Sequence, residues 1–120
     1  MFMRAIRGAI TVSENTKESI LEGTRELLIE IINKNNLDKS NIISAIFTVT
    51  SDLNATFPAI AARELGWTDI SLMCTNEIDV PGSLRSCVRV LIHFNTDKSN
   101  FDINHVYLKG ATILRPDLSK

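Results

Sequence analysis

The stretch CTNEIDVPGSLRSCVRVLIHF, residues 74–94, contains the strand pattern from which the rest of the fold can be inferred. Residues 87–94 have the two-residue period that is typical of a β-strand. One face carries Val88, Val90, Ile92 and Phe94, and the other carries Cys87, Arg89, Leu91 and His93. An unpaired charge on a half-apolar face is costly, so Arg89 is expected to have a carboxylate or phosphate partner.

Length and composition limit the classes of function. With 120 residues and a formal net charge of −1, the chain is expected to form a single domain over residues 1–120. The sequence has no Lys- or Arg-rich run and no apolar stretch of the ~18 residues that a membrane span needs, which argues against nucleic-acid and membrane partners. Residues 1–10 lack the apolar core of a secretory signal, and Cys74 and Cys87 are too few for a disulfide framework. The expected localisation is cytoplasmic.

Changes in hydrophobic period predict five strands and two helices. The long helix is predicted to begin with the capping pair Asn15 and Glu18 and to end near residue 34. The short helix is predicted to begin at Pro58 and to end at Gly66. The strands are predicted over residues 3–12, 42–50, 69–74, 87–94 and 105–114. Together these elements predict an α+β fold, a five-stranded mixed sheet with one long and one short helix.

This inventory also predicts self-association. One long and one short helix cannot cover both faces of five apolar strands, and large exposed apolar surfaces usually mark interfaces. Cyclic symmetry would let the sheets of several chains shield one another. We therefore expect an oligomer.

The chemically informative residues are arginines in structured positions. Arg7 and Arg89 lie within strands, whereas Arg63 lies on the short helix and Arg115 ends the last strand. Each alone can be explained as a surface residue or half of an ion pair, and Arg63 fits that interpretation best. Together they slightly favour an anion-binding site, because a guanidinium binds carboxylates and phosphates in a two-pronged geometry. The sequence contains no glycine-rich phosphate loop, no G-x-S-x-G motif and no metal-like histidine spacing.

Four segments carry a resemblance that runs in order along almost the whole chain. They are IRGAITV (6–12), ATFPAIAARELGW (55–67), MCTNEIDVPGSLRSCVRV (73–90) and HVYLKGATILRPDL (105–118). These segments resemble the monofunctional chorismate mutases of the Bacillus type. The resemblance implies a homotrimer that forms a pseudo α/β barrel, with active sites at the subunit interfaces. It also implies conversion of chorismate to prephenate in aromatic amino-acid biosynthesis, without a metal or cofactor.

The resemblance further implies roles for individual residues. The family arginine at Arg89 contacts the ether oxygen of chorismate, and Arg7 with Tyr107 is expected to bind a carboxylate of the substrate. Glu77 and Cys74 are expected to meet the ring hydroxyl. The remaining residues expected to line the pocket or its mouth are Phe57, Ala59, Leu72, Met73, Leu114, Arg63 and Arg115.

Two alternatives stay open at this level. A related trimeric fold hosts enamine/imine deaminases, which also use an arginine for a substrate carboxylate. A trimer that binds a dicarboxylate as a regulatory module would need the same arginines but no turnover. Loss of chorismate absorbance, with formation of prephenate, would separate the three functions.

Overall fold

The central strand of the sheet organises the fold. In a computed structural model, which describes residues 1–117, the strands and helices are β1 (Phe2–Thr11), α1 (Lys17–Asn35), β2 (Ile42–Val49), α2 (Ala59–Glu64), β3 (Ser71–Asn76), β4 (Cys87–Thr96) and β5 (Val106–Leu108). The central strand, β4, pairs antiparallel with β1 on one side and with β2 on the other. The edge strands β3 and β5 run parallel to β2 and β1, which gives the order β3-β2-β4-β1-β5. The predicted α+β fold with a mixed five-stranded sheet is confirmed.

The hydrophobic core fills the space between the sheet and the two helices. The face of β4 that carries Val88, Val90, Ile92 and Phe94 is at most 3% exposed, as its alternation predicts. Helix α1 covers this face with an apolar stripe that includes Ile20, Leu27, Leu28 and Ile31, all fully buried. The opposite face of the sheet, called the open face below, is covered by neither α1 nor α2.

The N-terminus of α1 differs from its prediction. The cap is Thr16, whose hydroxyl accepts a hydrogen bond from the backbone N–H of Ser19 at 3.1 Å. Asn15 is instead used by a tertiary contact, because its Oδ1 accepts from the backbone N–H groups of Asn54 and Ala55, each at 3.0 Å. The predicted cap of Asn15 with Glu18 was therefore wrong by one position.

The C-terminal segment also differs from its prediction. The strand expected over residues 105–114 is limited to Val106–Leu108, and a 3₁₀ helix follows at Lys109–Ile113. Lys109 has a left-handed φ of 54°, which ends the extended conformation. The 3₁₀ helix then buries Ala111 against Ala9 and Cys87, so it covers one end of the open face. The strand predicted over residues 69–74 is shifted to Ser71–Asn76.

Much of the open face is accessible. Met73 on the edge strand β3 is 61% exposed, and Ile46 and Leu91 are half-buried. Met3 near the start of β1 is also 61% exposed. Neither α1 nor any other helix among the described residues has the length and apolar character of a membrane span.

The packing of α1 on β1 generates a stability prediction at Gly8. A Cβ at this position would lie 2.7 Å from Ile31 Cδ1 and 3.3 Å from the backbone oxygen of Val106. Gly8→Ala should therefore destabilise the fold by about 1–3 kcal/mol through overpacking. Urea unfolding should show a lower midpoint with an unchanged slope. Thr75→Ala, an exposed change on β3, is the control and should stay within about 0.5 kcal/mol of the parent.

Candidate active site

A cavity on the open face brings together four of the predicted site residues. It has a volume of about 270 Å³, and its lining includes Arg7, Glu77, Arg89 and Tyr107. The strand register explains this convergence, since Ala9 of β1 lies opposite both Arg89 of β4 and Tyr107 of β5. Residues opposite one another in neighbouring strands share a face. The rest of the lining is Gly8, Ile46, Thr48, Val90 and Leu91.

Glu77 is held in place before any ligand enters. The Thr48 hydroxyl donates a hydrogen bond to Glu77 Oε1, and the backbone N–H of Glu77 donates to the Val49 carbonyl at 2.9 Å. The same Oε1 lies 3.5 Å from Nε of Arg89, a close electrostatic contact. A fixed carboxylate therefore lies beside the guanidinium.

Arg89 has unused hydrogen-bonding capacity. Its Nε is buried and has no hydrogen-bond partner among residues 1–117, although the side chain as a whole is 43% exposed. A buried N–H without a partner is costly, so an acceptor oxygen placed in this cavity would be bound favourably. The guanidinium is thus suited to an anion or to an oxygen that gains negative charge.

The thiol of Cys87 lies next to this arginine and is buried. Burial raises the pKa of the Cys87 thiol above its ordinary value, and the positive charge of Arg89 only partly offsets that increase. The thiol therefore stays neutral at neutral pH. A neutral thiol carries no negative charge that would compete with a ligand anion for Arg89.

The start of β4 is fixed by Asp52, a residue that the sequence analysis did not identify. Asp52 Oδ2 accepts hydrogen bonds from both the backbone N–H and the hydroxyl of Ser86, each at 2.9 Å. Ser86 has a left-handed φ of 55°, which a non-glycine residue adopts only when its surroundings stabilise it. The backbone of the next residue is held by Thr50, whose hydroxyl accepts from the Cys87 N–H at 3.0 Å. These contacts set the position of Arg89, three residues after Ser86.

Asp52 is ionised for a physical reason. Burial alone would raise the pKa of its carboxyl group, but the neighbouring hydroxyls of Thr50 and Ser86 outweigh burial, and the pKa is lowered. Its only sequence signal is its place in the turn after strand β2, where aspartate is common for purely local reasons.

A second polar group lies where β1, β5 and residues 115–117 meet. The backbone N–H of Arg7 donates to Nδ1 of His105 at 2.9 Å. Arg115 binds Asp117 through Nε at 3.1 Å and Nη2 at 2.8 Å, and these hydrogen bonds lower the pKa of the Asp117 carboxyl group. Leu114 packs beside them against the small cluster of Ala9, Cys87 and Ala111. His105 was not predicted as a site residue.

The other predicted residues lie elsewhere in the chain. Leu72 and Cys74 pair with Ala45 and Phe47, whose side chains belong to the core, so they face the helices and not the open face. They line a separate cavity of about 300 Å³, together with Phe57, Ala59 and Arg63. Within one chain, Cys74 therefore does not join Glu77 and Arg89.

Arg63 lies on the helix side of the sheet, whereas Met73 lies on the open face. Glu64, the neighbour of Arg63 in sequence, forms its ion pair with Arg25 of α1 at 2.9 Å. Met73, adjacent to Cys74, pairs with Ile46 and so lies on the open face.

Among residues 1–117, no three His, Cys, Asp or Glu side chains form a group that could hold a metal ion.

The Asp52 contacts predict how stability depends on pH. A carboxyl group with a lowered pKa stabilises the fold above its ordinary pKa of about 3.9, and the effect disappears as the pH falls through the lowered value. Asp52→Asn should cost about 1–3 kcal/mol at pH 7, because the hydrogen bonds from Ser86 lose a charged acceptor.

Urea unfolding at pH 7 and at about pH 3 would measure this difference. The difference in unfolding free energy between the parent and the variant should be smaller at the lower pH. An equal difference at both pH values would contradict the role of the charge. Asp79→Asn is the matched control. Asp79 forms an exposed ion pair with Arg85 at 3.0 Å, and the same Arg85 lies 3.9 Å from Asp52 Oδ1. Loss of this exposed pair should cost less than about 1 kcal/mol.

Comparison with known proteins places these features in a family. The family profile described as chorismate mutase type I matches residues 3–118. The chain is 44% identical to chorismate mutase AroH of Bacillus subtilis over 99% of this chain and 94% of that protein. It is 48% identical to chorismate mutase AroH of Thermus thermophilus over 97% and 96% of the two chains.

A solved structure agrees with these sequence matches. The chorismate mutase from Clostridium thermocellum superposes with a TM-score of 0.90 at 61% identity, covering 92% of this chain and 98% of that one. Profile, sequence and structure agree over nearly the full length, so the chain belongs to the chorismate mutase type I family.

Proposed function

We propose that this protein is a chorismate mutase that converts chorismate to prephenate in aromatic amino-acid biosynthesis. The observation that carries the proposal is the buried Nε of Arg89, which has no hydrogen-bond partner among residues 1–117 and lies beside the fixed carboxylate of Glu77 in the open-face cavity. The reaction is an intramolecular Claisen rearrangement, in which one C–O bond breaks while one C–C bond forms. It transfers no proton to the protein and forms no covalent adduct, so no cofactor is proposed.

Arg89 would act on the atom whose charge changes most. As the C–O bond breaks, the ether oxygen gains negative charge, and a guanidinium that is already in position stabilises that charge without reorganising. Because the contact strengthens towards the transition state, it lowers the barrier and does not merely tighten binding of the substrate. The fixed start of β4 at Ser86 supports this role, since it holds Arg89 in one place.

The other residues of the cavity would restrain the substrate. Arg7 and Tyr107, on neighbouring strands, would bind a carboxylate, and Arg115 lies close enough to add positive charge near His105. Glu77, held by Thr48, would accept a hydrogen bond from the ring hydroxyl. Binding a carboxylate and the ring hydroxyl at the same time would hold the substrate in one reactive conformation, so that it no longer samples unreactive conformers.

We further infer that each active site is completed by a neighbouring subunit of a homotrimer. The second set of predicted residues, Phe57, Ala59, Arg63, Leu72 and Cys74, lines a cavity on the other side of the edge strand β3. Within one chain this set lies apart from Arg89, and the edge of a second chain would bring the two together. Exposure of 66% for Phe57 and 61% for Met73 supports an interface at this edge. Three such sheets would form the pseudo α/β barrel.

The alternative functions have less support. The two relatives and the solved structure described above are chorismate mutases, and none of them is a deaminase. A regulatory trimer without turnover would keep the same arginines, and only an assay with chorismate separates it from an enzyme. With its two cysteines free, the described chain suits the reducing cytoplasm, which we propose as its location.

The mechanism predicts a large kinetic effect at Arg89. Arg89→Ala should lower kcat on the order of a thousandfold or more, because removing even one neutral preorganised donor costs ~10²–10³. Arg89→Lys should recover only part of the rate, since an ammonium cannot reproduce the planar guanidinium. Chorismate consumption, read by absorbance, and acid conversion of prephenate to phenylpyruvate would measure it.

The control for Arg89 is Arg4→Ala. Arg4 also lies on the sheet, but its guanidinium stacks on Phe2 and its Nε donates to the Lys98 carbonyl, away from the cavity. This variant should keep a kcat near that of the parent. A folded Arg89→Ala protein with an unreduced kcat would overturn the proposed mechanism.

The shared site predicts both a mass and a complementation. Light scattering on a sizing column should give three times the chain mass of 13.4 kDa. Arg89→Ala and a Phe57→Ala/Arg63→Ala double variant should each be impaired, and co-refolding them should restore activity above either alone. Restoration is expected because some mixed interfaces contain two intact halves. An active monomer, or no restoration in mixed trimers, would contradict the shared site.

A further inference from the structure

We propose that His105 is a positioning residue for the substrate-binding wall formed by Arg7 and Tyr107, and that it works only as the neutral imidazole. The proposal rests on the proposed function for its kinetic consequences, whereas its structural part stands on the contacts of His105 itself. It also assigns a pH-sensitive group to a site whose other cationic residues, the arginines, do not titrate near neutral pH.

The first step is the hydrogen bond that His105 accepts. Its Nδ1 receives the backbone N–H of Arg7 at 2.9 Å, immediately before β1 and β5 begin to pair at Gly8 and Val106. The imidazole thus supplies the acceptor that a backbone carbonyl would supply in a longer strand. Because Tyr107 follows His105 by two residues and lines the same cavity as Arg7, one bond connects both sides of the wall.

The second step concerns the tautomer. A backbone N–H can only donate, so Nδ1 must be the unprotonated nitrogen and Nε2 must carry the hydrogen. Protonation of Nδ1 would place two donors against each other and break the bond. The pairing of β1 with the three-residue strand β5 would then lose one of the few contacts that fix its register.

The third step concerns the charges around the ring. Arg7 on β1 and Arg115 after the 3₁₀ helix both act on His105, and Asp117 pairs with Arg115. Helix α1 also packs near β5, but there Asn35 contacts Asn104 and the side chain of Lys34 pairs with Glu30. Burial, followed by the positive charges of Arg7 and Arg115, lowers the pKa of His105 below its ordinary value.

These steps give a direction for the pH dependence. At neutral pH the imidazole is neutral and the wall is intact. As the pH falls through the lowered pKa of His105, the bond to Arg7 is lost and KM should rise. The carboxylate groups of the proposed substrate have ordinary pKa values near 4 and remain ionised over most of that range. The rise in KM is therefore assigned to the protein.

The structural part can be tested without substrate. The chain has two histidines, so the imidazole ¹⁵N–¹H spectrum contains two ring systems, and His93→Asn assigns the signals of His105. The expected result is an unprotonated Nδ1 at neutral pH and a midpoint below the ordinary value of about 6.5. A hydrogen on Nδ1 at neutral pH would overturn the proposal whatever the protein catalyses.

The functional part uses two variants. His105→Asn keeps an acceptor oxygen near the position of Nδ1 but cannot titrate, so kcat/KM at pH 7.5 should stay near that of the parent and the loss at acid pH should disappear. His105→Leu removes the acceptor, so KM should rise on the order of tenfold, with a smaller change in kcat. A merely structural role would not make the acid limb vanish selectively in the Asn variant.

His93→Asn is the matched kinetic control. His93 lies on β4 with its Nδ1 3.3 Å from the Ser44 hydroxyl, and it does not line the cavity. It should keep the acid limb of the parent. An acid limb that persists in His105→Asn would overturn the inference, and so would a parental KM in His105→Leu. If the parent does not turn over chorismate, the proposed function fails while the spectrum still decides the tautomer.

Discussion

The structure depends on one constraint, the two different faces of strand β4. Its apolar side chains are packed against α1 with almost no exposure, so the strand cannot shift by one residue without moving that whole set to the open face. The same register holds Arg89 on the open face opposite Ala9 and Thr48. The core therefore determines where the guanidinium lies, and packing energy supplies the precision of the site.

The polar groups of the cavity are supported in the same manner. Glu77 is tied to β2 by Thr48 and Val49, and the backbone before Arg89 is tied to the β2 turn by Asp52. These supports lie on strands or at their ends, where side chains have few alternative positions. An enzyme that acts by orientation and electrostatics needs this rigidity, because groups that reorganise during the reaction lose most of their effect.

The edge strand β3 connects the monomer to its proposed assembly. Leu72 and Cys74 lie on one side of this strand and Met73 on the other, so both sides of one edge carry candidate contacts. Edge strands with exposed apolar residues usually associate unless they are protected. In the proposed trimer, association and completion of the site would be the same event, and this would account for the two separate cavities of a single chain.

Sequence periodicity alone was sufficient for the number and order of the strands, for the presence of α1 and for the face on which Arg89 lies. It was sufficient because a period of two or 3.6 residues is a local property that burial then enforces over the whole element. It failed where a tertiary contact competed with a local preference. Asn15 does not cap α1, because its side chain binds the backbone of the loop at Asn54. The left-handed φ of Lys109 ends β5, and Ala111 then packs against the open face of the sheet.

The sequence by itself therefore determined the element types, the core face and the family resemblance, from which Arg7, Glu77, Arg89 and Tyr107 followed. Only the tertiary structure revealed Asp52 and His105 and divided most of the predicted residues between two cavities, with Met73, Leu114 and Arg115 in neither. Asp52 and Ser86 are separated by 34 positions, and Arg7 and His105 by 98. No local pattern records such contacts, since the energy of each depends on where the sheet brings distant backbone groups together.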